Sequence, residues 1–357
     1  MLEQSHGNSA WGINLEAAIC EHCDWCYLLP PGLLPLQCPH CFQATLVALT
    51  EHDGLSDNPP PELVIPFSVS ADVLGQKIQG FSEGMWFAPT DLKVENLKTR
   101  LQRIYLPMWL VDSQVEAIWQ AEVGFNYEAV SYRDSFNEKG GGWQSQQITE
   151  TRIRWEPRVG RLARTYHNFS APALEEHFEL RDKLGRYDVE SSQPYRPNFM
   201  EQAVVRLPNR SPKDAWPDAV PALKATATEE CCRASGADHI RQFRWSEEYP
   251  DQNWTLLLLP MYITYYLDDG QNPQPVLIHG QTGQLSGSKR PSMKRAQRAA
   301  LIIGVVAVVI FAISLIIGLA SLFIRSLFPV AGVGMGIALL VGLLAITPMV
   351  IVWLMRE

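Results

Sequence analysis

The sequence predicts an α+β fold that ends in a two-helix transmembrane hairpin. Three observations carry this: two C-x2-C steps before residue 42, a long middle rich in β-branched and aromatic residues, and two successive apolar runs without a charge near the C-terminal end. The 357 residues carry a net charge of −8, but it is unevenly spread. From Lys289 onward seven basic residues stand against one acid, Glu357, while the preceding part holds 23 basic and 37 acidic residues. An acidic soluble part argues against general nucleic-acid binding.

The membrane hairpin rests on length and charge. Ala299 to Ile324 contains no charged residue. As a helix it would run about 39 Å, enough to cross a hydrocarbon core of about 30 Å. Leu327 to Leu354 is a second such run, and only Arg325-Ser326 separates the two, so a tight antiparallel pair is expected. Lys289, Arg290, Lys294, Arg295 and Arg298 precede the first run, and Arg356 follows the second. Positive charge stays inside, which predicts a multi-pass protein of the plasma (inner) membrane with its N-terminal domain and C-terminus cytoplasmic. The basic segment 289–298 is expected to meet anionic head groups. The polar start, Met1 to Leu15, has no apolar stretch of signal-peptide type.

Small residues recur in these runs. Gly332/Gly336 on the second, and Ala300/Gly304 and Ser314/Gly318 on the first, allow close helix approach. Either the hairpin packs on itself through them or chains self-associate through Gly332/Gly336; the sequence favours the former. No acid, Lys or His lies inside either run, so no ion pathway is indicated.

Five of the seven cysteines fall between Cys20 and Cys41. Cys20-Glu-His-Cys23 and Cys38-Pro-His-Cys41 form two C-x2-C steps, with a Pro30-Pro31-Gly32 turn between them. Four thiolates suit one tetrahedral Zn²⁺, and such a closed set leaves no open position for catalysis. The expected ligands of one structural zinc are therefore Cys20, Cys23, Cys38 and Cys41. Cys26 also stands in C-x2-C spacing with Cys23, which keeps it as an alternative; it opens the strand-like run Cys26–Leu29. His22 and His40 sit inside the steps and are not expected to ligate. Residues 1–76 contain nine acids and no Lys or Arg, so this ribbon lacks the cations that phosphate contacts require.

The middle alternates between helical and strand patterns. Glu51–Glu62 is polar and ends in Pro59-Pro60-Pro61. Ser70–Glu83 has helical spacing of Val73/Leu74, Ile78 and Phe81, and Asp91–Arg103 is a second helical candidate. Val115–Tyr127, Gln144–Trp155 and Leu162–Phe169 read as strands, the first two broken by Gly140-Gly141-Gly142. Asp214–Ala237 reads as a helix with Val220, Leu223, Ala227 and Cys231 on one side; the Cys231-Cys232 pair has no assigned role. Thr255–Leu267 and Val276–His279 are strands around an Asp268-Asp269-Gly270 turn. Leu106-Pro-Met-Trp109 is echoed by Leu259-Pro-Met-Tyr262.

No catalytic set is found: GxSxG, HExxH and a P-loop are absent, and Gly283–Lys289 has the wrong spacing for a phosphate loop. Glu175-Glu176-His177 reads as a helix surface. Arg152, Arg154, Arg158, Arg161 and Arg164 read as a solvated strand face.

Taken together, Cys20, Cys23, Cys38-Pro-His-Cys41, Ile104-Tyr-Leu-Pro-Met-Trp-Leu-Val-Asp112, Leu259-Pro-Met-Tyr262 and His279-Gly-Gln-Thr-Gly-Gln284, followed by C-terminal membrane helices, resemble a family of bacterial membrane proteins with a TFIIB-type zinc ribbon. Its members are sometimes labelled primosomal or helicase-like; no helicase motif is present here. The resemblance covers nearly the whole chain. It implies a non-enzymatic membrane scaffold, in some bacteria linked to SPFH- or PspA-like membrane-stress proteins. Cys26 beside the first step departs from the pattern.

The expected organisation is an N-terminal tail (1–15), a zinc ribbon (16–50), a Pro-rich linker (51–64), a β-rich α+β cytoplasmic domain (65–288), a basic juxtamembrane segment (289–298) and the hairpin (299–355). The expected role is a non-enzymatic adaptor that recruits protein partners to the membrane. A membrane-tethered nucleic-acid-binding regulator is the alternative, and an unrecognised hydrolase ranks third.

Overall fold

In the computed structural model, residues 11–49, 59–137, 142–321 and 328–355 are described. Strands β1 (Glu16–Ile19), β2 (Cys26–Leu29), β3 (Val47–Ala48) and β4 (Leu63–Val64) precede helices α1 (Ala71–Glu83) and α2 (Val94–Thr99). Two very long strands follow, β5 (Gln102–Asn137) and β6 (Gly142–Pro172), then α3 (His177–Leu184), β7 (Gln193–Pro194) and β8 (Val204–Arg206). Helix α4 (Pro212–Ala234), strands β9 (His239–Glu248), β10 (Gln252–Leu267), β11 (Pro273–His279) and β12 (Leu285–Gly287) complete the sheet region. Helices α5 (Met293–Ala320), α6 (Phe328–Leu344) and α7 (Thr347–Leu354) end the chain.

All twelve strands share one sheet, with the path β12-β11-β10-β5-β8-β2-β1-β3. Period-2 alternation decides its two faces. Ile104, Leu106, Met108 and Leu110 of β5 join Leu257, Leu259, Met261 and Ile263 of β10 in one core, under the ribbon and α3. Tyr105 and Leu258 point to the opposite face, where α1 and α2 cover Tyr262 and Tyr266. The echoed motifs meet across β5 and β10: Leu106 lies opposite Leu259, and Tyr105 opposite Pro260.

The expected separate strands are one continuous hairpin. β5 and β6 pair from Met108↔Pro172 to Asn137↔Gly142. Gly142 opens β6, while Gly140 and Gly141 lie outside the described residues. At the irregularity between Val111 and Ser113, β6 carries the extra residue, with Asn168 at φ +59°, so β5 keeps its alternation and the odd positions Val111, Val115, Ala117, Trp119, Ala121 and Val123 form the buried set. Helix α4 covers that set through Leu223, Ala227 and Cys231. β9 pairs with β5 only as far as Gly124. Beyond it, residues 125–137 and 142–154 continue as a two-stranded arm. At about 3.3 Å per residue this arm reaches roughly 40 Å. Tyr127, Val130, Tyr132, Trp143 and Ile153 are exposed on it.

Several boundaries differ from the sequence expectation. The second helix is only Val94–Thr99, because Gln102 and Arg103 already pair with β10. Helix α4 starts earlier, at Pro212, since Ser211 caps it by accepting from Asp214 N. It stops at Ala234, before Gly236 at φ +68°. Its buried row is Ala215, Ala219, Leu223, Ala227 and Cys231, a strict i,i+4 repeat in which Ala219 replaces the expected Val220. The tail is not wholly loose: Trp11 and Leu15 are buried. Of the linker, residues 51–58 lie outside the described set, but Leu63 and Val64 form β4, which pairs with β10 and β7.

The C-terminal helices also begin differently. Two spans, Met293–Ala320 and Pro329–Leu354, are long and apolar enough to cross a membrane. The first starts six residues before the apolar run, because Ser292 caps it and accepts from Arg295 N. The basic segment is therefore largely helix. It is also fixed to the sheet domain: Ser292 Oγ donates to Asp269 Oδ1 at 2.6 Å, Lys294 N donates to Asp269 Oδ2 at 3.1 Å, and Ser292 N donates to Phe87 O at 2.7 Å. The second span breaks at Ala345-Ile346, before α7, which opens at Thr347 with Pro348 in its first turn. The expected turn Arg325-Ser326, and Arg356, lie outside the described residues.

Hairpin packing uses only one of the expected small-residue steps, together with Gly334. A Cβ on Gly334 would overlap Ser314 Oγ, and one on Gly318 would sit 3.7 Å from Ala331 Cβ. Gly304, Gly332 and Gly336 have nothing within 4 Å of an added Cβ. The Ser314/Gly318 step thus packs the hairpin, whereas Gly332/Gly336 faces away from it.

Candidate metal centre

Two knuckles of matching design hold the cysteines. In the first, Asp24 N donates to Cys20 O at 2.8 Å and Cys20 N donates to Trp25 O at 3.0 Å. In the second, Phe42 N donates to Cys38 O at 3.1 Å and Cys38 N donates to Ala44 O at 2.8 Å. The residue after each second cysteine is left-handed, Asp24 at φ +57° and Phe42 at φ +55°. This conformation costs a non-glycine residue about 1–2 kcal/mol, and the Phe42 ring offsets it by burial against Tyr265, 4.6 Å between centroids. β1, β2 and β3 carry the knuckles on the sheet edge, with Ile19 opposite both Cys26 and Val47.

The four thiols of Cys20, Cys23, Cys38 and Cys41 all lie within 4.8 Å of one another. Cys20 Sγ is 3.6 Å from Cys41 Sγ, and Cys23 Sγ is 3.7 Å from Cys38 Sγ. They are close enough to hold one metal ion. Cys26 stands outside the set; its thiol turns to Asp24 O at 3.8 Å. Burial pushes the Cys23 thiol well up and the Cys38 thiol up to about 11. The Cys41 thiol is lowered instead: the N–H groups of Gln43 and Ala44 outweigh its burial. His40 N donates to Cys38 Sγ at 3.4 Å. These N–H···S bonds favour thiolate, the form a metal requires.

Around the knuckles the sequence reading misses several residues. Arg206, buried on β8, lies opposite Tyr27 of β2. Its guanidinium sits 3.9 Å from the Trp25 ring centroid, and the other face of the cluster has Trp25 stacked on His40 at 3.6 Å. Its Nη1 donates to Cys26 O at 3.1 Å. Its charge favours the Cys26 thiolate, partly offsetting the burial that pushes that thiol up. Nothing in the spacing of the cysteines announces a partner 165 or more residues away; a lone Arg inside the apolar run Ala203–Leu207 was the available signal.

The other singled-out residues have structural places. His22 and His40 are exposed and outside the thiol set. Cys231 and Cys232 are buried on α4, and burial pushes the Cys231 thiol up to about 11, which leaves it a poor nucleophile. Arg152, Arg154 and Arg158 pair with Glu150 and Glu156 on their own strand, and Arg164 reaches Glu230. His279 Nδ1 accepts from Gln281 N and Thr282 N in the His279–Gln284 turn. A Cβ on Gly280 would lie 2.6 Å from Pro260 Cβ, so glycine is required where this turn meets β10. In comparisons with known proteins, no family model, no curated protein and no solved structure matches the chain.

Proposed function

We propose that the chain is a membrane-anchored, non-enzymatic adaptor that recruits a protein partner through its β-arm, with a structural zinc holding the ribbon. The carrying observation is the arm itself. A two-stranded ribbon is marginal alone in water, and here it exposes Tyr127, Val130, Tyr132 and Trp143 on a domain bonded to a membrane-length helix. Exposed apolar surface of this kind fits an interaction site. Zinc is supported by the thiol spacing: a Zn–S bond of about 2.3 Å gives a tetrahedral edge of about 3.8 Å, beside observed separations of 3.6 and 3.7 Å. The family resemblance suggests SPFH- or PspA-like membrane-stress partners. The positive-inside pattern supports a two-span protein of the plasma membrane with both ends cytoplasmic. The outward Gly332/Gly336 step supports self-association in lipid.

The test is capture from membranes of the intact chain beside a Val130→Lys/Tyr132→Lys/Trp143→Lys variant, with partners quantified by mass spectrometry. A membrane-associated protein enriched with the intact chain and lost with the arm variant is the expected result. No specific enrichment, or identical partners for both, removes the arm from the reading. Protease added outside intact cells should spare the soluble part; digestion there would overturn the orientation.

A further inference from the structure

A cavity of about 140 Å³ lies where the ribbon, α3 and the sheet meet. Trp25 and His40 wall one side, and Ile104, Leu106, Met261 and Leu277 form an apolar floor. Two charged residues of opposite sign line it with bonding capacity left over. Arg206 is 3% exposed, and its Nε has no hydrogen-bond partner. Glu176, just before α3, buries an Oε2 that likewise has none, so the two do not bond each other. At the rim, Lys183 and Glu179 are closed on one another at 2.6 Å and supply neither.

Leaving a buried donor or acceptor unmade is costly, and more so when it is charged. Native proteins keep few such groups, and each calls for an explanation, an ordered water, ion or bound molecule among them. One water takes up about 30 Å³ of liquid, so the space exceeds a single bridging water, and the apolar floor offers further waters nothing to bond. An occupant that satisfies every wall has an anionic group for Arg206, a cationic donor for Glu176, and an apolar body over Leu106 and Leu277. We propose that this cavity binds a small zwitterion with an apolar side chain, an apolar α-amino acid, with its carboxylate on Arg206 and its ammonium on Glu176. This site is independent of the adaptor reading: it belongs to the sheet domain and uses no residue of the arm.

The experiment is calorimetric titration, with thermal unfolding in parallel, of the full metal-loaded chain in detergent. The probes are L-leucine, L-methionine and L-phenylalanine, then 4-methylpentanoate, which lacks the ammonium, and isopentylamine, which lacks the carboxylate. At least one amino acid should bind saturably and raise the unfolding midpoint. Loss of either charge should weaken binding about tenfold or more. Glu176→Gln should cause a similar loss while metal content stays the same. No saturable binding up to the solubility limit leaves a water-filled cavity and overturns the proposal. Equal binding of the single-charge analogues, or unchanged binding by a folded Glu176→Gln, overturns it as well.

Discussion

Asp269→Ala should loosen the joint between the sheet domain and the first membrane-length helix without unfolding either. The carboxylate accepts from the buried Ser292 hydroxyl at 2.6 Å and from Lys294 N at 3.1 Å. Lys294 N is a first-turn amide with no partner inside its own helix. Hydrogen bonds to a charged group contribute about 1.5–3 kcal/mol each, and an acid at a helix N-terminus adds about 0.3–1 kcal/mol. Lys294 is exposed and Asp269 only half-buried, so the low end of each range applies and the total is about 3 kcal/mol. That is roughly a hundredfold increase in opening of the helix start. The Lys294 ammonium still donates to Asp269 O at 2.7 Å, which the substitution leaves in place. Trypsin in mild detergent reads the opening by its cleavage rate after Lys294 and Arg295. Hydrogen exchange over residues 290–298 gives the same quantity without a protease. Unchanged cleavage and exchange would refute the joint. Protection lost evenly across the whole sheet would show global destabilisation instead.

Three further outcomes test other parts of the fold. Elemental analysis should find one metal ion per chain, and near none in Cys38→Ser/Cys41→Ser; because burial holds the Cys23 and Cys38 thiols protonated without metal, binding releases protons and affinity should fall on acidification. Asp91 accepts from Arg100 Nη2 at 3.0 Å and Leu267 N at 2.7 Å, and these bonds hold its carboxyl below the usual range against its partial burial. Its stabilisation is full above the unfolded value of about 3.9 and is lost as pH falls through the lower folded value. Denaturant unfolding should therefore show Asp91→Asn costing about 1–3 kcal/mol at neutral pH, with the gap to wild type closing in acid. Gly334→Val should force α5 and α6 apart at Ser314, costing about 1–3 kcal/mol. Gly336→Ala should leave the hairpin intact, with intramolecular energy transfer between labelled helices as the readout.

Legibility followed how local each determinant is. The four cysteines were readable because two knuckles are short-range devices with fixed spacing. Helix α1 was readable because Ser70 caps it and Leu74, Ile78 and Phe81 repeat on one face. The length of the β5–β6 hairpin was not, since polar stretches such as Gln144–Glu150 look like loop until their partner strand is known. Arg206 escaped, and Glu176, with its buried Oε2, was read as helix surface, for the same reason: their surroundings come from β2, β10, β11 and the ribbon, which only tertiary pairing brings together. The start of α5 was misplaced because hydropathy ends where the basic residues begin, whereas the helix begins where Ser292 and Asp269 satisfy its first amides. Gly332 and Gly336 fit a packing motif, yet rotation about the helix axis assigned the contact to Gly334.

The pairing pattern leaves no slack between the metal centre and the membrane-length helix. Tyr27 and Leu28 of β2 pair with β8, β8 pairs with β5 at Ile104 and Tyr105, and β5 pairs with β10 from Gln102 to Ser113. β10 then runs to the turn whose Asp269 holds α5. A Gly/Ser tether of a few residues would let the domain swing freely, whereas hydrogen-bonded strands and a capped helix fix the arm's direction relative to the helix axis. On the adaptor reading, this rigidity restricts recruitment to partners that present their surface at one height and angle to the bilayer. It also removes the ordering entropy that a swinging arm would lose on binding. The same continuity places the knuckles, through Arg206 and β8, against the strand that becomes the arm, so loss of metal should disturb the base of the arm before its tip.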